Sequence, residues 1–158
     1  MSGVTLAAAT AVCSASAQAP HANWLANPCS AILAADLGAV LPGPESAITR
    51  KPRSGKFESE CLFADTASHR SLRLVLHPAK DTARVTRQLE RLANGESAGQ
   101  RTDINGYDAV LSPDGLQISV GVDHWLVTLI ASNPMPTDTA HSLAARVVAR
   151  IGAMEAAP

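Results

Sequence analysis

The sequence predicts an α+β domain, a mainly antiparallel sheet of about five to six strands covered by helices. Three observations predict it. Tyr107 to Ser132 is a meander of three apolar runs joined by the turns Ser112-Pro113-Asp114-Gly115 and Asp123-His124. Two other stretches, one from Asp81 to about Asn94 and one starting at Thr137 or Asp138, carry apolar residues at helical spacing, each after a proline break. The remaining strands are also linked by short turns, which suit antiparallel neighbours rather than parallel crossovers. At 158 residues the chain suits one domain with a self-sufficient core. That domain is expected over residues 20–152, between a leader at 1–19 and a loose tail at 153–158.

The first nineteen residues read as a signal peptide. Val4 to Val12 is a small-apolar run, and Ala15-Ser16-Ala17 or Ala17-Gln18-Ala19 supplies small residues at both specificity positions of a cleavage site. The run has no Lys or Arg before it, and the competing reading is an Ala/Ser tail on a cytosolic protein. Val12 precedes Cys13 where lipid attachment needs a small residue, so a lipid anchor is not favoured. No apolar run approaches the roughly 20 residues of a membrane helix. Export would place the mature chain in the periplasm or outside the cell. Cys29 and Cys61 would then remain as an even pair in an oxidising compartment. A bridge between them would close a loop of about 33 residues and contribute roughly 3.5 to 4 kcal/mol in the chain-entropy model. Two buried free thiols are the alternative.

The elements follow in order. Asn27-Pro28-Cys29-Ser30 opens a helical stretch through Leu41, with Ile32, Leu33, Leu37, Val40 and Leu41 near amphipathic spacing, ended by Pro42-Gly43-Pro44. Glu45 to Arg50 is polar and followed by Pro52 and Gly55, which confines it to an edge or a loop. Phe57 to Ala64 alternates, with Phe57, Ser59, Cys61 and Phe63 on one side. Ser71 to His77 is a strand with Leu72, Leu74 and Leu76 inward and Arg73, Val75 and His77 outward. Asp81 caps a helix to about Asn94, and Gly95 terminates it. Gly99 to Gly106 is a polar connection ending in the turn Asn105-Gly106. In the meander, Leu116, Ile118, Val120 and Val122 share a face. The last run has Trp125, Val127, Leu129 and Ala131 on one side and Leu126 and Ile130 on the other, as a central strand would. Leu143, Val147 and Ile151 stripe the final helix. The two halves rhyme: strands, a proline break, an Asp cap and a helix in each.

Composition excludes several functions. Thirteen basic against fourteen acidic residues leave a net charge of −1, which favours neither nucleic acid nor an anionic membrane. Five aromatic residues, Trp24, Phe57, Phe63, Tyr107 and Trp125, are too few for a stacking platform. No metal or cofactor is expected: His21, His69, His77, His124 and His141 show no ready ligand spacing, and neither Cys29 nor Cys61 has a Cys-x-x-Cys partner. There is no Gly-x-Ser-x-Gly elbow, Asp103, Asp108 and Asp114 fit loop ends, and Gly95, Gly99 and Gly106 are too spread for a phosphate cradle. One feature points to a partner. Arg84, Arg87 and Arg91 recur along one side of a helix, either as a solvated face or as a basic stripe for an acidic partner or lipid headgroup.

Asn27-Pro28-Cys29-Ser30-Ala31-Ile32-Leu33, Leu37-Gly38, Glu60-Cys61-Leu62-Phe63 and Ile104-Asn105-Gly106-Tyr107-Asp108-Ala109, followed by a meander and a last helix, resemble a family of small secreted bacterial lipoproteins of unknown function. The resemblance covers roughly Asn27 to Gly152, with Phe63 where the family often carries Trp. It implies a Cys29–Cys61 bridge and a PsbP-like α/β/α sandwich, and brings no catalytic residue with it. The expectation is an exported, non-enzymatic domain that binds a partner protein or envelope component. The alternative is a carrier holding a small apolar ligand between sheet and helices.

Overall fold

The computed structural model describes residues 24–95 and 98–155. The expected leader with its Cys13, and His21 beyond it, lie outside them. In chain order the described residues form a 3-10 turn (Pro28–Ala31), α1 (Ala34–Leu37), a second 3-10 turn (Glu45–Ala47), β1 (Ile48–Arg53), β2 (Ser59–Asp65), β3 (Arg70–Pro78), α2 (Thr82–Asn94), β4 (Gln100–Ile104), β5 (Tyr107–Leu111), β6 (Gln117–Val122), β7 (Trp125–Ala131) and α3 (Thr137–Glu155). The strands make one sheet in the order β1-β2-β3-β7-β6-β5-β4, antiparallel throughout.

Seven strands, rather than five or six, follow from β4, where the sequence reads as a polar connection. Only Ile104 of its five residues is buried, because an edge strand can be held by backbone pairing with little apolar burial. It joins β5 through Asn105 and Gly106, both at positive φ (54° and 85°), the geometry of a two-residue hairpin turn. At the opposite edge, β1 tolerates Pro52 because no strand of the described residues pairs with its outer side.

Alternation decides the two faces of the sheet. On the first, Cys61, Leu74, Leu129, Ile118 and Leu111 lie in register across β2, β3, β7, β6 and β5. They meet Leu143, Val147, Val148 and Ile151 of α3 and Ala31, Ile32, Leu37 and Leu41 of the opening segment in one buried cluster. On the second, Val85, Leu89 and Ala93 of α2 cover Val110, with Leu126 packed alongside. Gly121 lets α2 approach: a Cβ there would stand 2.8 Å from Val85 Cγ1 and 3.0 Å from Leu89 Cδ1.

The opening segment differs from the helix expected through Leu41. Ile32 and Leu33 are extended, and α1 is only four residues long. The Asp36 carboxylate explains the restart by accepting the Leu33 N–H at 2.9 Å. The extended step buries Ile32 and leaves Leu33 53% exposed. Cys29 and Cys61 form a disulfide that ties the first 3-10 turn to β2. Phe57 does not share the Cys61 face. It precedes β2 and is 72% exposed, with the Lys56 ammonium 5.5 Å from its ring centre. By contrast, α2 begins after Asp81, whose carboxylate accepts the Arg84 N–H at 2.8 Å, and stops before Gly95.

Candidate functional site

The site is built where α2 crosses the sheet. Val85, Leu89 and Ala93 fix which side of the helix faces down, so Arg84, Arg87 and Arg91 stand on the exposed side. They surround a hollow of about 260 Å³ with Gln88. No described residue pairs with any of the three in an ion pair. The Gln88 Oε1 is buried without a hydrogen-bond partner among the described residues. Leu92 shares a cleft with Leu116 and Ile130, whereas Thr82 and Thr86 face Tyr107, Asp108 and Asp123. At about 100° per residue, Gln88, Arg84 and Arg91 follow round from the Leu92 side toward solvent. The stripe therefore rises on the β7 side of α2, with Arg87 at its crest.

Beyond that wall no helix of the described residues lies over the second face of the sheet. One row across this face is Lys51, Leu62, Arg73, Ile130 and Gln117, and the next is Arg53, Glu60, Val75, Thr128 and Ser119. Leu62, Val75 and Ile130 are half-buried, while Lys51, Arg53 and Arg73 are exposed. Glu60 is the acid of these rows, and Arg53 holds it at 3.6 Å. On the far side of α2 lie Asp108 and Asp123. The helix thus divides a basic, partly apolar shelf from a more acidic margin, although the chain as a whole is almost neutral.

Near the β5–β6 turn the shelf opens into a cleft of about 300 Å³, lined in part by Leu92, Val110, Leu116 and Ile130. The Asp114 carboxyl at its rim is held below the usual carboxylate range by the hydroxyl of Ser112 and the N–H of Leu116, which favours an acceptor role over proton donation. Asp36 and Asp65 are also lowered, and both are structural. Burial pushes Asp36 up, but Arg150, the Leu33 N–H and Arg146 together outweigh it. Asp65 is lowered first by the Ser68 hydroxyl and further by the N–H groups of Ala67, Gly43 and Ser68, which it accepts while tying the β2–β3 turn to the Gly43 loop. Among the described residues no three His, Cys, Asp or Glu side chains converge as metal ligands, and no helix is long and apolar enough to cross a membrane.

The sequence singles out the three arginines. It misses Lys51, Leu62, Arg73, Val75 and Ile130, which share the α2 face of the sheet. The outward places of Arg73 and Val75 are readable from the inward leucines of β3, but the order of strands that joins them to α2 is not. No protein-family model, curated protein or solved structure matches the chain.

Proposed function

We propose that this chain is an exported, non-enzymatic binding module that holds an acidic partner protein against the shelf between α2 and β1. The observation that carries the reading is the gathering of Lys51, Arg53, Arg73, Arg84, Arg87 and Arg91 around half-buried Leu62, Val75 and Ile130, with one paired acid among them. Interfaces combine a partly apolar centre with complementary charge in this way, and arginines that no described residue holds in an ion pair can contact carboxylates two bonds at a time. Export is supported by the Cys29–Cys61 disulfide together with the leader-like first nineteen residues. The same disulfide and the Pro28 turn support kinship with PsbP-like secreted lipoproteins.

The test is a photo-crosslinking residue placed at Val75 and, separately, at Asp138 on α3, in the native host. An adduct with one acidic protein at Val75, absent at Asp138 and lost in the variant R84E/R87E/R91E, is the expected result. Equal adducts at both positions, or none at Val75, would refute the reading. A second reading, a carrier of a small apolar ligand, draws on the 300 Å³ cleft, which is at the lower end of ligand-pocket volumes. Native mass spectrometry of the protein from its host would then find a small adduct that the change Leu116→Trp removes.

A further inference from the structure

We infer that the occupant of the shelf is an amphipathic α-helix of about four turns, with an apolar stripe flanked on both sides by Asp or Glu. This rests on the proposed function and specifies the partner's form. The first support is the symmetry of the sheet. The order β1-β2-β3-β7-β6-β5 places β1–β3 and β5–β7 about a pseudo-two-fold axis normal to the sheet, between β3 and β7. After β3 the chain forms α2, which lies over β5–β7 on the second face. The same operation would lay the helix after β7 over β1–β3 on that face. Instead α3 packs on the first face, against β6 and β4, beside the opening segment that covers β1–β3 there. The shelf is the place the symmetry gives a helix and no helix of the described residues fills.

Dimensions agree. Three strands at about 4.8 Å spacing span roughly 10 Å from β1 to β3, the width of one helix. A helix of thirteen residues, the length of α2, extends about 20 Å and matches the strands beneath. The chemistry sets the sequence such a helix needs. Leu62, Val75 and Ile130 offer an apolar floor, Lys51 and Arg53 line the outer rim, Arg73 lies on the floor between, and Arg84 and Arg91 line the wall. An apolar stripe would meet the floor, and its acidic flanks would meet cations on both sides. The cleft beside Leu92 and Ile130 would receive one apolar side chain beyond the stripe.

Other occupants fit less well. A flat anionic bilayer would rest on the crest of α2, whose axis stands about 10 Å above the sheet, and could not reach Leu62 or Val75. A second copy placing its own shelf here would oppose cations to cations.

The test uses the full chain and three probes: an 18-residue peptide of Leu, Ala and Glu with Leu at helical spacing, a peptide of the same composition with Leu at every second position, and phosphatidylglycerol vesicles. Affinity is read by fluorescence anisotropy, and the site by amide shift changes. The expected result is at least tenfold tighter binding of the helical peptide, with shifts centred on Leu62, Arg73, Val75 and Ile130. Arg73→Glu should weaken it at least tenfold, and Arg70→Glu, which alternates to the other face, less than twofold. Lys51→Glu serves in place of Arg73→Glu should the latter not fold. Equal binding of both peptides would overturn the helical occupant while leaving an acidic partner in place. Binding of neither peptide would overturn both readings. Vesicle binding that depends on Arg73 and displaces the helical peptide would assign the shelf to a membrane and overturn the inference.

Discussion

Arg150 and Asp36, 114 positions apart in the chain, meet at 2.6 Å. The same guanidinium donates to the Ala31 carbonyl at 3.0 Å, and Arg146 joins Asp36 at 3.1 Å. The final helix thereby grips the opening segment, which covers the first face of the sheet over β1–β3. Asp36 is buried, while both arginines keep partial access to water and can resolvate when the carboxylate is lost. Asp36→Ala is expected to lower stability by about 2 to 3 kcal/mol, measured as a shift of the urea midpoint.

The same pair sets an acid limit. The folded-state pKa of Asp36 lies below its ordinary value of 3.8, so the unfolded chain binds the proton more readily. Stability from this group is complete above the unfolded value of about 3.9 and is lost as pH falls through the lower folded value. Urea midpoints should stay level from neutral pH to about 5 and drop below about 4. Asp36→Asn should make that drop shallower.

Reduction of Cys29–Cys61 frees the opening segment from β2. The chain-entropy model gives a loss of about 3.5 to 4 kcal/mol for a loop of this length. Unfolding with and without reductant should separate by that amount. Cys29→Ser should unfold at the reduced midpoint whether reductant is present or not.

Neighbouring residues of β7 should respond unequally. Leu129 is 1% exposed between sheet and α3, whereas Ile130 is half-buried on the shelf. Leu129→Ala should cost about 3 kcal/mol and Ile130→Ala about 1 kcal/mol by chemical denaturation. Similar losses at both sites would mean that the second face is covered.

Gly121→Val tests the seat of α2. Its added carbons would overlap Val85 and Leu89, forcing the helix away from β6. A loss of about 1 to 3 kcal/mol is expected, with faster amide exchange over Thr82–Asn94 than over α3.

Local signals carried much of the fold. Asp81, Gly95 and the spacing of Val85 and Leu89 announce α2, and the alternation of β3, β6 and β7 states which side chains face inward. Where the structure departs from the sequence reading, a distant contact is responsible. Residues 27–41 have helical spacing, yet the chain breaks at Ile32 and Leu33 as Asp36 is drawn to Arg150 and Cys29 to Cys61. β4 has almost no inward apolar residue and exists because β5 offers it a backbone edge.

The sequence by itself determined the antiparallel α+β class, the capped helix α2, the meander and the exposure of Arg84, Arg87 and Arg91, since each depends on residues a few positions apart. Only the tertiary structure decided the strand order, the face taken by α3, and the placing of Lys51, Leu62 and Arg73 on the face of the sheet that carries α2. Those follow from which buried surfaces close against one another across the whole chain. Periodicity tells a strand which side is apolar, but not which strand will lie beside it.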